Sequence, residues 1–114
     1  MSGITTHVLD TAAGRPAAGV AVKLEVRSAD RGWVTLAERT TDPDGRARDL
    51  VADGRRLNAG TYRITFGTGA YFAARGVSAF YPEATVVFEV REPGEHYHVP
   101  LLLSPFGYST YRGS

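Results

Sequence analysis

Val20-Ala-Val-Lys-Leu-Glu-Val26 decides the fold class. Val20, Val22, Leu24 and Val26 fall on one side of an extended chain, while Ala21, Lys23 and Glu25 fall on the other. A period of two with β-branched residues on the apolar side reads as a half-buried strand. Thr61-Tyr-Arg-Ile-Thr-Phe66 repeats it, with Tyr62, Ile64 and Phe66 against Thr61, Arg63 and Thr65. Between Glu83 and Glu92, Val86, Phe88 and Val90 share a face opposite Val87. Further strands are expected near residues 3–10, 33–40, 45–49, 96–104 and 107–113, in addition to 20–28, 60–67 and 83–91. Gly and Pro clusters separate them: Ala13-Gly-Arg-Pro16, Ala29-Asp-Arg-Gly32, Asp42-Pro-Asp-Gly45, Asn58-Ala-Gly60, Pro82 and Glu92-Pro-Gly94. The one helical candidate is Thr68 to Arg75, where Ala70, Ala73 and Ala74 are good helix formers. Many short strands with one helix predict an all-β sandwich.

The bulk properties agree and exclude several functions. A chain of 114 residues with 43% hydrophobic content is expected to be one domain, 1–114, able to fold without disulfide or metal support. Its net charge is +1, and the twelve arginines are scattered between Arg15 and Arg112, which gives no nucleic-acid tract. The chain contains no cysteine, so thiol catalysis and thiolate metal sites are excluded. No charged n-region precedes an apolar stretch at the N-terminus, and no apolar run approaches the roughly 18 residues of a membrane span. A cytoplasmic protein without membrane or nucleic-acid partners is expected.

His96-Tyr-His-Val-Pro-Leu-Leu-Leu103 is the segment most informative about function. Tyr97, Val99, Leu101 and Leu103 make a core face. His96, His98, Pro100 and Leu102 are left for the opposite face, where solvent-facing positions are usually polar. A sheet apolar on both sides must bury the second side, and with one short helix available the expected cover is another subunit. In the first strand His7 similarly shares a face with Leu9, opposite Ile4, Thr6 and Val8. A lone histidine on a part-buried strand is more often structural than catalytic; two on left-over faces shift that balance. His96, beside Glu95 at the strand start, reads as exposed. The His96-x-His98 spacing suits zinc, but that strand offers no carboxylate partner, so neither metal nor cofactor is expected. Arg46 reads, on its residues alone, as the exit of the Asp42–Gly45 turn. Pro100 cannot donate to a sheet ladder, which predicts an unpaired edge or a bulge there.

At these residues the chain resembles the transthyretin-like (prealbumin-like) family, in its 5-hydroxyisourate hydrolase branch. The resemblance runs through Ile4-Thr-Thr-His-Val-Leu-Asp-Thr-Ala12, Gly14-Arg-Pro-Ala17 and Thr41-Asp-Pro-Asp-Gly-Arg46. It is most specific in His96-Tyr-His-Val-Pro-Leu-Leu-Leu-Ser-Pro105 with Gly107-Tyr-Ser-Thr-Tyr-Arg-Gly-Ser114. It implies a Greek-key sandwich of two four-stranded sheets with one short helix. It also implies a homotetramer, a dimer of dimers with sites at the dimer–dimer interface. The implied reaction opens the ring amide of 5-hydroxyisourate, giving 2-oxo-4-hydroxy-4-carboxy-5-ureidoimidazoline in urate degradation to allantoin. His7, Arg46, His98 and Ser114 are the implied catalytic residues, and His7, Arg46 and Tyr111 the implied substrate contacts. Either His98 or His7 is the expected general base. The alternative is a non-catalytic transthyretin-like carrier, in which the resemblance implies other side chains at these positions.

Overall fold

The alternation along residues 20–26 and 61–66 becomes two sheets packed face to face. The computed structural model describes residues 3–51 and 57–114. The elements are β1 (Gly3–Asp10), β2 (Arg15–Pro16), β3 (Ala21–Ser28), β4 (Gly32–Thr40) and β5 (Arg46–Ala47). They continue with β6 (Gly60–Phe66), α1 (Thr68–Ala74), β7 (Ala84–Val90), β8 (His96–Ser104) and β9 (Gly107–Thr110). One sheet runs β4-β3-β6-β7, and the other β2-β1-β8-β9, with β5 also on β1. The two short strands share one edge of β1: β2 opposite Leu9 and Asp10, β5 opposite Thr6 and His7. The second sheet is therefore four strand positions wide, as expected, with five strands filling them.

The expected inward faces form the core. Val20, Val22, Leu24, Ile64 and Phe66 from one sheet meet Ile4, Val8, Tyr97, Val99, Leu101 and Leu103 from the other, all buried. Each such large side chain contributes about 1.5–3 kcal/mol on removal from water. Helix α1 adds Tyr71 and Phe72, and the Tyr71 hydroxyl donates to buried Asp10 at 2.8 Å, tying the helix to β1. No helix among the described residues is long and apolar enough to cross a membrane.

Several expectations change. Residues 13–16 are not only a turn: Gly14, at φ 70°, closes a hairpin whose return arm is β2. The strand expected at 45–49 shrinks to Arg46–Ala47. The last strand ends at Thr110 rather than 113, because Pro100 has no N–H for the residue opposite it. Pairing then resumes in unbroken register as a His98–Gly113 bridge. Neither pairing of β8 slips at Pro100, so the proline interrupts the ladder without a bulge; the bulge lies at Leu24/Glu25. Pro100 is also buried within the chain, with the C-terminal tail folded against it. Its cover is thus the chain's own tail, and no second subunit is needed at that residue.

Candidate active site

Register brings the site together. β1 and β8 run parallel, with Thr5 opposite His98 and His7 opposite Pro100, while β5 sets Arg46 opposite His7. Side chains of paired residues share a face, so Thr5, His7, Arg46 and His98 all project from the outer side of the sheet. Two of these strands lie more than 80 residues apart in sequence.

Asp42 builds the turn that carries Arg46. Its Oδ1 accepts the backbone N–H groups of Asp44 and Arg46, each at 2.9 Å, and its Oδ2 accepts Arg48 Nη1 at 2.9 Å. The Arg46 N–H, the Asp44 N–H and the nearby Arg48 and Arg46 guanidinium groups hold this carboxyl below the usual aspartate range. Gly45, at φ 78°, leaves no room for a Cβ, which would run into the Val8 carbonyl. The turn then lays the Asp44 carbonyl beside His7, whose Nε2–H donates to it at 2.9 Å. A carbonyl only accepts, so the His7 proton sits on Nε2.

His98 stands differently. Its Nδ1 is 2.8 Å from the Thr5 hydroxyl, and its Nε2 makes no hydrogen bond among the described residues. Burial, then the neighbouring Arg46, His7 and His96, push its pKa below the ordinary value, while the Thr5 backbone acts in the opposite direction. The ring is therefore held neutral around pH 7.

A cavity of about 270 Å³ opens over these groups, lined by Thr5, Thr6, Arg46, Arg48, His96, His98 and Ser114. Arg46, His98 and Ser114 thus meet at one space, with His7 close enough to affect His98. The Arg46 guanidinium has no hydrogen bond or ion pair among the described residues. Tyr111 is not brought there: it is exposed and lines a separate groove with Phe88, Tyr97 and Val99. His96 is exposed, as expected, yet it lines the cavity and meets the Thr5 hydroxyl at 2.9 Å. Thr5 and Arg48 were not legible as site residues; Thr5 stands two residues from His7 on the same strand face, the one signal available, whereas Gly113 belongs to the terminal Tyr-Arg-Gly-Ser that the family resemblance carries. Gly113 has a steric reason to be there, since a Cβ would lie 2.6 Å from His98 Cδ2 and 3.2 Å from Pro100 Cγ. Its N–H donates to the His98 carbonyl at 2.8 Å and so delivers Ser114 to the cavity. Among the described residues, no three His, Asp or Glu side chains are grouped to hold a metal ion.

Such a cavity, with the unpaired Arg46 guanidinium beside a neutral imidazole, suits a carbonyl-rich or anionic ligand and proton transfer to or from it. Comparison with known proteins points the same way. The model of the HIUase/Transthyretin family matches residues 4–113. The 5-hydroxyisourate hydrolase of Caulobacter vibrioides is 50% identical, covering 100% of both chains. The structure of the Klebsiella pneumoniae 5-hydroxyisourate hydrolase superposes with a TM-score of 0.85 at 41% identity, covering 100% of each. Sea bream transthyretin, solved with thyroxine, superposes with a TM-score of 0.90 at 38% identity, covering 96% of this chain and 93% of that one.

Proposed function

The chain belongs to the HIUase/Transthyretin family, and from that premise we propose that it is a 5-hydroxyisourate hydrolase acting in urate degradation. The observation that carries the reading is the convergence of His98 and Arg46 on one cavity with Ser114. A carrier of small molecules, such as the thyroxine-bound transthyretin, needs no such set of proton-transfer and oxyanion groups.

The reaction adds water across a ring amide. His98 is the better of the two candidate bases, because the His7 Nε2 proton is engaged by Asp44 whereas His98 Nε2 has no partner among the described residues. His98 Nε2 takes a proton from water as the water oxygen attacks the amide carbonyl carbon. The carbonyl π electrons move to oxygen, and Arg46 stabilises that charge with its planar fork of donors. Collapse of the tetrahedral species breaks the C–N bond, and the leaving nitrogen takes the proton back from His98. The product is a carboxylic acid, which releases its remaining proton to solvent and becomes the carboxylate. His7, held by the turn, orients the substrate, and Ser114 contributes a hydroxyl at the cavity wall. Tyr111 enters as a substrate contact only through another copy of the chain. This fits a homotetramer in which 1–114 forms one domain and the cavity opens at the dimer–dimer interface. A cytoplasmic setting suits a cysteine-free chain.

The test generates 5-hydroxyisourate from urate and follows its ultraviolet absorbance with and without the protein. Accelerated decay that survives a chelator is expected. Decay at the spontaneous rate would leave the carrier reading in its place.

A further inference from the structure

We propose that Thr5, backed by His96, is a positioning residue that sets the tautomer of His98, keeping its proton on Nδ1 and its lone pair on Nε2. The inference rests on the hydrolase reading and concerns two residues that reading leaves unused. The Thr5 hydroxyl lies 2.8 Å from His98 Nδ1 and 2.9 Å from His96 Nε2. A hydroxyl has one proton, so between two neutral rings it donates to one and accepts from the other. Two chains of hydrogen bonds satisfy that rule. In the first, His98 Nδ1–H donates to Thr5, which donates to His96 Nε2. In the second every bond is reversed, the His98 proton moves to Nε2, and the ring cannot accept a proton from water there. Only the first chain yields a base.

The hydrolase reading selects the first, and two features of the site accommodate it. His96 is exposed, so its own Nδ1–H has water to donate to. Gly113 lies against the His98 ring edge, where a Cβ would lie 2.6 Å from Cδ2, and so helps hold Nδ1 on Thr5, the contact through which the hydroxyl acts on the tautomer. Thr5 suits the task because a β-branched residue on a strand is stiff at χ1 and aims its hydroxyl in one direction. A third group that orients the base is the logic of hydrolytic triads, here supplied by a neutral hydroxyl in place of a carboxylate.

The experiment pairs kinetics with long-range 1H–15N NMR of the full-length, histidine-labelled protein at about pH 8, where His98 is neutral. In the unmodified protein the expected tautomer has His98 Nδ1 protonated and Nε2 bare. Thr5→Val should shift it toward Nε2–H and lower kcat roughly 10- to 100-fold, with KM changing by less than about threefold. Thr5→Ser should restore both readings. His96→Phe, which leaves β1 untouched, should give the same tautomer shift and serves if Thr5→Val does not fold. A His98 proton on Nε2 in the unmodified protein, or a variant that keeps both tautomer and kcat, would overturn the assignment. If the unmodified protein fails to hydrolyse 5-hydroxyisourate, the functional reading falls, and the NMR alone still decides the role of Thr5.

Discussion

Across β3 and β6 the outer face of the sandwich pairs its central arginine with an acid; beside β1 and β8 it leaves one without. On the first, Glu25 is buried and accepts Arg63 Nε at 2.7 Å and Nη2 at 3.2 Å. Arg63 and Arg27 both stack on the Trp33 ring, with guanidinium carbons 4.3 and 4.9 Å from its centroid. On the second, His7, His96, His98 and Arg46 gather, and among the described residues Arg46 meets no acid. The strands are alike in alternation and burial. What differs is whether the arginine at the centre of the face has found an acid within the chain: Arg63 has Glu25, and Arg46 has none among the described residues. A face whose groups are satisfied contributes stability, while a face whose groups are unsatisfied is held ready for a ligand, and the remaining charge must be offset by burial elsewhere.

The sharpest way to break this contrast is to remove the base. His98→Ala should lower kcat by on the order of a hundredfold or more while the sedimentation coefficient stays unchanged. Unchanged turnover would move His98 to the structural side of the comparison.

Arg63→Ala is the mirror experiment. It leaves the Glu25 carboxylate buried without its bidentate partner and strips one cation from Trp33. Tm should fall by about 4 °C or more, with kcat and KM unchanged. The pH dependence fixes the cause. Arg63 holds the Glu25 pKa below its ordinary value in the folded protein. As pH falls, the unfolded chain binds that proton first, so the stabilisation is present above the ordinary glutamate pKa and is lost below it. The gap in Tm between the two proteins should therefore narrow as pH falls through that value. A constant gap would assign the effect to lost packing on Trp33.

A smaller effect is expected from the tail. Gly113 is bridged to His98 and Ser114 lines the cavity, so a few residues appended after Ser114 should reduce kcat/KM about tenfold with Tm nearly unchanged. A parallel fall in Tm would show that the tail serves mainly as the cover over Pro100.

How far the site was legible follows from what alternation can express. The period of two sorts residues onto faces, and it put Tyr97, Val99, Leu101 and Leu103 inside and His7 and His98 outside, where they lie. It cannot say which strand lies beside which. The parallel β1–β8 pairing that brings Thr5 to His98 is a contact between distant segments with no local signature. Strands of two residues, such as β2 and β5, are too short to show a period. Arg46 entered through family resemblance, because its role depends on the antiparallel pairing with His7, which the Asp42 turn conceals. Pro100 suggests an unpaired edge or a bulge, yet it interrupts the ladder without a bulge, and its cover is the chain's own tail, which leaves no pattern in the residues when it returns over its own sheet.

The subtlest test lies in the acid limb of the rate profile. His98 must be neutral to accept a proton, so kcat/KM should fall as pH drops through its pKa, with a midpoint below the ordinary histidine value of about 6.5. The groups facing the ring are Thr5 and His7 from β1, Arg46 from β5, His96 on its own strand and Ser114 from the tail. Burial contributes most to the depression, and Arg46 contributes most among the charges. Arg46→Gln keeps a polar side chain while removing the positive charge. Whatever it does to the plateau rate, the acid midpoint should then rise toward the ordinary value, because the imidazolium form loses its nearest repulsion. The same linkage acts on folding: with the folded pKa lowered, the unfolded chain gains the proton first, so His98 makes the protein less stable as pH falls below the ordinary value. Arg46→Gln should weaken that trend as well. If the midpoint stays put, Arg46 does not face His98 in the working enzyme, and the open charges of this face are arranged around some other group.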